Sequence, residues 1–426
     1  MTQTLALLIV ALLGAPLFAV IAAGALLGFH AEDVDLAVVA IEIYRIAEMP
    51  VLLAIPLFTF SGYLLSEGKA SQRLVRLSDA LLSWLPGGLA IVTLITCAAF
   101  TALTGASGVT IIALGALLYP AMKDAGYGQH FSLGLITSSG SLGLLFPPSI
   151  GLILYGVIAQ QLNVGAPIAI EDLFLAGLLP GLLMLLLLSG WCIWRNRHNE
   201  LNGKKFSWVA ACLAIRESFW ELLLPVIILG GIYSGYFTIS EAAAVSVPYV
   251  LITELLIHRD IALKQLPDIM RESMMLVGGV LIILAISLVS TNYLIDTEVP
   301  SRLFDLIKSH IDSKLTFLIL LNGFLLLLGM MLDIFSALVI MVPLILPIAV
   351  GYGVHPVHFG IIFLANMQIG YFTPPVGMNL FIASYRFNKP IIELYLSTLP
   401  FMVILLIAVL IITYWPDLSL VLLSSD

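Results

Sequence analysis

The sequence of 426 residues is poor in charge: only 10% of its residues are Asp, Glu, Lys or Arg, and 61% are hydrophobic. Soluble domains have about 25% charged and about 45–50% apolar residues, so this chain has too few charges to cover a surface in water. The mean hydropathy of +1.10 also indicates a chain too apolar for a soluble protein. The composition excludes an ordinary soluble protein and predicts an all-α polytopic membrane protein.

Other scarcities exclude further classes. The three cysteines, Cys97, Cys192 and Cys212, lack CxxC spacing, which excludes a disulfide framework and a cysteine metal site. The formal net charge is −8 and no long run of like charge occurs, so nucleic-acid binding is also excluded. The apolar N-terminal segment is too long for a signal peptide and has no leading cation, so it predicts a retained span.

Apolar segments of about 20 residues, long enough to cross ~30 Å of hydrocarbon, predict the membrane spans. They occupy residues 4–28, 47–66, 130–158, 173–194, 220–237, 240–257, 272–291, 358–384 and 391–415. Residues 88–122 and 315–350 are too long for one helix and are interrupted by Thr104-Gly105-Ala106-Ser107-Gly108 and Leu332-Asp333-Ile334-Phe335-Ser336. Because the arms are too short to cross and return, both predict re-entrant hairpins whose tips end near the membrane midplane.

The distribution of Lys and Arg in short loops predicts a cytoplasmic N-terminus and a periplasmic C-terminus. The cations predicted to be cytoplasmic are Lys69, Arg73, Arg76, Arg195, Arg197, Lys204, Lys205, Arg259, Lys264, Arg271, Arg386 and Lys389, whereas Glu32, Asp33 and Asp35 fall outside. Arg302, Lys308 and Lys314 are exceptions on a predicted surface helix. This orientation makes the first hairpin enter from the cytoplasm and the second from the periplasm.

The two halves of the chain repeat one series of features at a shift of 227 residues, which relates Pro147 to Pro374. The same shift relates Gly143 to Gly370, Gly126 to Gly353 and Pro120 to Pro347. It aligns residues 47–194 with 274–420, which begin on opposite sides of the membrane and so predict inverted-topology repeats. Each repeat is predicted to contain a charged amphipathic arm, a hairpin (88–122 or 315–350) and a Pro-Pro-broken helix (130–158 or 358–384). The rest is predicted to be a scaffold span with a periplasmic segment (1–46), a cytoplasmic loop with two scaffold spans (195–273) and a tail (421–426).

The paired prolines predict where the chemistry occurs. Proline lacks an N–H group and clashes with the preceding turn, so Pro147-Pro148 and Pro374-Pro375 should each interrupt a membrane helix. Backbone groups freed there cost several kcal/mol unless protein, water, ions or substrate satisfy them. Helix N-termini favour an anion, and unwound carbonyl groups suit Na⁺. Each hairpin tip against the break of its own repeat would form one cation site, with an organic anion between the two.

Several side chains leave alternatives open. Asp333 is the only acid that the predicted topology places deep in the membrane, and it is either a cation ligand or the N-cap of the second arm. Ser107 is either a ligand or a small residue that allows close helix approach. Asn379 is a candidate for the substrate or sodium site. Ser138, Ser139 and Ser141 are interpreted as packing residues or as hydroxyl groups bonded to backbone carbonyl groups, and His130, His355 and His358 as hydrated residues at span ends.

Two groups of motifs resemble a known family. The first half has Gly126-Tyr127, Ser139-Gly140, Gly143 with Pro147-Pro148-Ser149-Ile150, and Asp172-Leu173-Phe174-Leu175-Ala176-Gly177-Leu178-Leu179-Pro180-Gly181. The second half has Met331-Leu332-Asp333 with Pro343 and Pro347, His358-Phe359-Gly360, and Gly370-Tyr371-Phe372-Thr373-Pro374-Pro375-Val376-Gly377. Over nearly the whole chain the sequence resembles the large membrane subunit (DctM type) of tripartite ATP-independent periplasmic (TRAP) transporters.

The resemblance implies an elevator-type transporter, not an enzyme, that takes up an organic acid across the bacterial inner membrane with a Na⁺ gradient. It implies two partners, a periplasmic substrate-binding protein (DctP type) and a small four-helix membrane subunit (DctQ type) on a separate chain. It also implies Na⁺ as the coupling ion and no organic cofactor. C4-dicarboxylates, sugar acids, keto acids and sialic acids all fit as the solute.

The resemblance also suggests sites. One sodium ion would lie among Gly105, Ser107, Gly143 and Pro147, and the other among Asp333, Ser336, Gly370, Thr373 and Pro374, mostly through backbone carbonyl groups. Gly108, Ser149 and Asn379 are the candidate substrate contacts. The tip Gly105-Ala106-Ser107-Gly108 lacks the serine-rich sequence of many relatives, so the side-chain contribution to the first site is in doubt.

Two rival functions share part of this pattern. A stand-alone divalent-anion/sodium symporter would have the same hairpins and inversion without a binding protein. A rhomboid-like intramembrane protease would use Ser107 of the GxSG pattern with a histidine from another span. No histidine is predicted at mid-depth, and a protease does not need an inverted repeat.

Overall fold

The computed structural model describes residues 7, 10, 15–31, 34–35, 37–82, 84–85, 87–197 and 206–423. Within these ranges the chain is helical and has no β-strand. Seven of the described helices are long and apolar enough to cross a membrane, or eight if one bent pair forms a single span. The predicted all-α polytopic membrane fold is therefore confirmed.

The first half of the chain contains helices of very different lengths. They are α1 (Leu17–Ala31), α2 (Ala37–Ala47), α3 (Ala54–Glu67), α4 (Ala70–Leu82), α5 (Gly88–Thr104), α6 (Ser107–Asp124), α7 (Gln129–Ser139), α8 (Ile150–Leu162) and α9 (Ile170–Asn196). A 3₁₀ turn, Pro50–Leu53, precedes α3, and another, Leu142–Leu145, follows α7.

The second half begins with three helices that lie between the two repeats, and the helices of the second repeat follow them. Its helices are α10 (Trp208–Glu217), α11 (Phe219–Tyr233), α12 (Ile239–Leu251), α13 (Leu266–Asp296), α14 (Val299–Lys308), α15 (Lys314–Met331), α16 (Ile334–Gly351), α17 (Pro356–Gly370), α18 (Met378–Phe387), α19 (Ile391–Tyr414) and α20 (Asp417–Leu420). A π-helical turn, Ile252–Ile257, extends α12, and a 3₁₀ turn, Leu263–Gln265, precedes α13.

Three predicted spans differ from the helices found. The helix in segment 220–237 has only 15 residues, because a turn follows Tyr233. The helix in segment 272–291 has 31 residues and begins at Leu266, so Arg271 lies on a helix and not in a loop. In segment 4–28 the described helix begins at Leu17. The rest of that segment, apart from a few residues, lies outside the described residues, as do Glu32, Asp33, Lys204 and Lys205.

Both interrupted segments form helical hairpins with two-residue tips. The first hairpin is α5–α6, with arms of 17 and 18 residues joined by Gly105-Ala106. The second hairpin is α15–α16, with two arms of 18 residues joined by Leu332-Asp333. The arms of the second hairpin are long and apolar enough to count as spans by length and composition. Its tip, however, ends against the interior, where Ile334 is only 2% exposed.

Both Pro-Pro segments interrupt helices. The first break, residues 140–149, separates α7 from α8 and bends the pair by 42°. The second break, residues 371–377, separates α17 from α18. The physical reason is local, since proline cannot donate the next helical hydrogen bond.

Helix packing follows the repeat in two ways. Within each repeat, the first hairpin arm packs on the helix that precedes the break: α5 on α7, and α15 on α17. Between repeats, each second arm packs on the helix that follows the other break: α6 on α18, and α16 on α8. The hairpins and breaks are thereby brought together at the centre of the molecule.

Candidate functional site

The tip of the second hairpin is bound to the break of its own repeat by two hydrogen bonds. The Gly377 N–H donates to the Met330 carbonyl oxygen at 2.9 Å. The Ile334 N–H, in the first turn of α16, donates to the Tyr371 hydroxyl oxygen at 2.7 Å. These bonds satisfy backbone donors that the interrupted helices leave without partners, as buried peptide groups require.

The tip of the first hairpin also meets the break of its own repeat. Gly105 has φ +68°, a left-handed conformation that favours glycine, and a Cβ added there would lie 2.5 Å from Ile150 Cδ1. The Thr101 hydroxyl donates to the Gly140 carbonyl oxygen at 2.8 Å. The arrangement of tip against break, expected from the Pro-Pro motifs, is therefore found in both halves.

Glycines allow the hairpin arms to approach the breaks at equivalent positions. A Cβ on Gly143 would lie 2.4 Å from the Ala102 backbone nitrogen, and one on Gly370 would lie 2.5 Å from Gly329 Cα. Ala102 and Gly329 are themselves related by the shift of the repeat. A side chain at either glycine would push the hairpin arm away from the break.

Four helix N-termini meet in two pairs across the repeats. The Ser107 hydroxyl, at the start of α6, donates to Asn379 Oδ1 at the start of α18, at 2.8 Å. At the starts of α16 and α8, Ile334 Cδ1 lies 3.3 Å from the position of a Cβ on Gly151. Since each helix N-terminus carries about half a positive charge, the region between the pairs attracts an anion.

Polar atoms without hydrogen-bond partners lie beside these N-termini. They are Asn379 Nδ2, Ser149 Oγ and Thr104 Oγ1, on residues that are 0%, 1% and 0% exposed. Buried polar groups are nearly always hydrogen-bonded in native proteins, so such atoms call for a ligand or ordered water. An amide donor and a hydroxyl group are suited to a carboxylate or sulfonate oxygen.

Asp333 is the N-cap of α16. Its Oδ1 accepts hydrogen bonds from the N–H groups of Phe335, at 2.9 Å, and Ser336, at 3.0 Å. Its Oδ2 accepts from the Ser336 hydroxyl at 2.5 Å. The capping alternative is thus observed.

The other predicted ligands lie around the same two breaks. Pro147 is buried in the first break, and Pro374 is partly buried in the second. The Thr373 hydroxyl donates to the Ile369 carbonyl oxygen at 2.8 Å, which leaves its oxygen able to accept or to bind a cation. Gly108 faces α18, where a Cβ would lie 2.7 Å from Ile382 Cδ1. Ser107 has Asn379 as its side-chain partner among the described residues, and not a histidine as a protease would need.

A sequence model of the DctM component of the tripartite ATP-independent periplasmic transporter matches residues 3–418. The chain belongs to the DctM family. The resemblance noted for the paired Pro-Pro motifs was to this family. Its members are transporter permeases, so this DctM chain has a role in transport.

Two curated relatives are 36% identical to this DctM chain. One, the C4-dicarboxylate TRAP transporter large permease protein DctM of Pseudomonas aeruginosa, aligns over 90% of this chain and 88% of its own length. The other is the isethionate TRAP transporter permease protein DctMQ of Oleidesulfovibrio alaskensis, which aligns over 87% of this chain. This chain spans 57% of the length of DctMQ.

A solved structure shares the fold. The YdaH transporter of Alcanivorax borkumensis, described as having an unusual topology, superposes with a TM-score of 0.63 over 90% of this chain and 88% of its own. The sequence identity is 14%, so the likeness concerns architecture alone.

Sequence reasoning missed two features of this DctM chain and mistook a third. The hydroxyl of Tyr371, which binds the second tip, follows Gly370 directly and could have been suspected from that position. A buried ion cluster around Arg73 was missed altogether. The hydrated position expected for His358 is wrong, because this residue is 3% exposed and contacts the Ser419 hydroxyl at 3.1 Å. The carbonyl-bonded alternative holds for Ser141, whose hydroxyl donates to the Gln368 carbonyl oxygen across the repeats.

Proposed function

We propose that this protein carries an organic acid across the bacterial inner membrane together with Na⁺, in an elevator movement. It would receive the solute from a periplasmic binding protein (DctP type) and work with a small four-helix membrane subunit (DctQ type). The N-terminus would be cytoplasmic and the C-terminus periplasmic. Membership of the DctM family supports this proposal, as do the two relatives named for a C4-dicarboxylate and for isethionate, both organic anions.

The observation that carries the proposal is the meeting of four helix N-termini beside unpartnered buried polar groups. The N-terminal dipoles provide positive potential without a lysine or arginine. Asn379 accepts from Ser107 through Oδ1, which leaves its Nδ2 as a donor without a partner. Ser149 Oγ, also without a partner, lies at the N-cap of α8. One acidic group of the solute would bind here, with Gly108 keeping α6 close to α18.

Sodium would occupy the space between each hairpin tip and its own break. Gly105, Ser107, Gly143 and Pro147 surround the first such space, whereas Asp333, Ser336, Gly370, Thr373 and Pro374 surround the second. Backbone carbonyl groups at helix breaks are hard oxygen ligands, which Na⁺ prefers. With Na⁺ bound, the added positive charge would raise the affinity for the anion, which couples the two.

Transport itself tests the proposal. The full chain, reconstituted with its small subunit and its binding protein, should accumulate a labelled organic acid when Na⁺ is higher on the periplasmic side, and should not do so with K⁺. The solute is first chosen as the compound that raises the melting temperature of the binding protein. Uptake without Na⁺ would refute the coupling, and equal uptake without the binding protein would favour the stand-alone symporter.

The Asn379→Asp variant tests the anion site directly. It replaces a buried donor by a negative charge of nearly the same shape, so the apparent affinity for the solute should fall by roughly 100-fold or more, equivalent to at least about 2.7 kcal/mol. Asn388→Asp, at the exposed C-terminal end of the same helix, is the matched control and should transport normally. Unchanged affinity in Asn379→Asp would remove Asn379 from the site.

A further inference from the structure

The helices that lead into the two hairpins are α4 and α14, which we call the first and second arm helices. A buried arginine links the first arm helix to three carboxylates from other segments. Arg73 Nη2 lies 2.9 Å from Glu254 Oε1, Arg73 Nη1 lies 2.5 Å from Asp260 Oδ2, and Arg73 Nε contacts Glu221 Oε1. The side chains of Arg73, Glu221, Glu254 and Asp260 are 9%, 0%, 0% and 8% exposed. We call these four residues the Arg73 cluster.

The partners of Arg73 belong to the part of the chain between the two repeats. Glu221 is in the first turn of α11, Glu254 is in the π-helical turn that extends α12, and Asp260 follows that turn. The Ser218 hydroxyl, just before α11, also donates to the Arg73 carbonyl oxygen at 3.1 Å. The cluster thus joins α4 to the pair α11–α12 through side chain and backbone.

The corner between α3 and α4 is shaped to fit this cluster. A Cβ on Gly68, at that corner, would lie 2.3 Å from Glu254 Oε2. The next residue, Lys69, places its Nζ 3.3 Å from Asp260 Oδ1. The start of the arm, and not only one side chain, is therefore held at this place.

The second arm helix, α14, is held differently. The shift of the repeat places Pro300 at the position of Arg73, and α14 forms no buried ion pair among the residues that the structure describes. Its Phe304 ring packs on Gly351 and Tyr352. An apolar cavity of about 290 Å³, lined by Leu303 and Ile307 among others, lies beside it. Apolar contacts are non-directional, whereas the fork of an arginine fixes orientation.

We propose that Arg73 is a positioning residue for transport, which fixes the first arm to α11–α12 while the hairpin that follows it moves. The inference rests on the proposed elevator function. α4 contacts both α10 and the first hairpin arm α5, so a fixed α4 gives the hairpin a fixed surface against which to move. Among the described residues the second arm helix has no such ion-pair anchor, so it would slide on its apolar contacts.

The first experiment measures the anchor without using activity. Cysteines in the Arg76→Cys/Glu217→Cys variant replace a surface ion pair whose atoms lie 3.2 Å apart, and a short bismaleimide should join them, in a background where the exposed Cys212 is replaced by Ser. Adding Arg73→Met/Glu221→Gln/Glu254→Gln removes three of the four charges of the cluster, and the remaining Asp260 keeps Lys69 as its partner at 3.3 Å. The crosslinking yield should then fall at least fivefold, with membrane levels preserved. An unchanged yield would overturn the anchor.

The second experiment measures transport by the full complex in proteoliposomes. In the triple variant the maximal uptake rate should fall at least tenfold, with the KM for the solute unchanged. Arg73→Lys should have an intermediate uptake rate. The control Arg302→Met, on α14, should have the uptake rate of the wild type. The crosslinked Arg76→Cys/Glu217→Cys protein should keep its uptake. Loss of uptake on crosslinking, reversed in the unlinked protein, would refute a fixed arm.

The two experiments separate the failure of the anchor from that of the function. If the wild-type complex shows no Na⁺-driven uptake, the proposed function fails, and the crosslinking yield alone decides whether Arg73 holds the arm. If uptake is Na⁺-driven and the triple variant transports normally, only the proposed role of Arg73 in transport is refuted.

Discussion

Replacing Asp333 by Asn separates the two roles that its position allows. The carboxylate caps α16 through Oδ1, which accepts from two backbone N–H groups. Asn and Asp are about equal as N-caps, so Asp333→Asn keeps the cap and removes the charge. Asp333→Ala removes both, at a cost of about 1 kcal/mol in stability.

The expected change in Na⁺ affinity in Asp333→Asn depends on the charge that is removed and on the exposure of Asp333 to solvent. Two unit charges about 4 Å apart interact by about 4 kcal/mol at an effective dielectric constant of ~20. Asp333 is partly exposed, so we halve this energy to about 2 kcal/mol to allow for solvent screening. The half-saturating Na⁺ concentration for uptake should therefore rise about 30-fold in Asp333→Asn.

The assay is a Na⁺ titration of solute uptake, with a parallel thermal melt. Asp305→Asn, an exposed acid on α14, is the matched control and should titrate like the wild type. Asp333→Asn should have a normal melting temperature and a shifted Na⁺ titration. If the titration is unchanged, while Asp333→Ala melts earlier, the carboxylate is only a cap and the proposed second sodium site has no charged ligand among its predicted residues.

Three further predictions concern the breaks and the cluster. Replacing Pro147-Pro148 or Pro374-Pro375 by Ala-Ala should restore a continuous helix and abolish uptake with insertion preserved; normal uptake would refute the role of the exposed backbone. Gly143→Ala or Gly370→Ala should lower uptake at least tenfold, because the methyl group meets the backbone of the hairpin arm at about 2.5 Å or closer, whereas Gly190→Ala, in open space, should not. Burial raises the pKa of Asp260, but hydrogen bonds and charges from Arg73 and Lys69 lower it below its usual value overall. Its contribution to stability is therefore complete above the unfolded pKa of about 4 and lost as the pH falls through the folded pKa, so Asp260→Asn should melt earlier at pH 7 and lose less than the wild type on acidification.

Most of the fold could be predicted from the sequence by rules that depend on neighbouring residues. The length of the apolar segments gave the spans, and proline chemistry gave both breaks, because each depends on residues close together in the chain. Helix ends were less accurate: α13 continues through charged residues that the span criterion excluded, since a helix can extend beyond the hydrocarbon while its backbone stays hydrogen-bonded.

The side-chain pairs of the site could not be predicted in the same way. Ser107 and Asn379 are 272 residues apart, and nothing in either local sequence indicates the other. Arg73 was interpreted as a loop cation by the positive-inside rule, but its partners lie 148, 181 and 187 residues further along the chain. A buried arginine requires compensating charge, and the position of that charge is a property of the fold.

The two predicted sodium sites have similar backbone arrangements, but only the second has an acidic side chain. The shift of the repeat places Ala106 in the first tip where Asp333 stands in the second. A cation at the first tip would therefore rely on carbonyl dipoles and on the Ser107 hydroxyl, which already donates to Asn379. A hydroxyl that donates to the anion site still has lone pairs for a cation, so Ser107 can link the first ion to the solute. A cation at the second tip would lie beside the Asp333 carboxyl group, without a comparable link to the solute. We therefore expect the second site to fill at lower Na⁺ concentration, and the first to fill together with the solute.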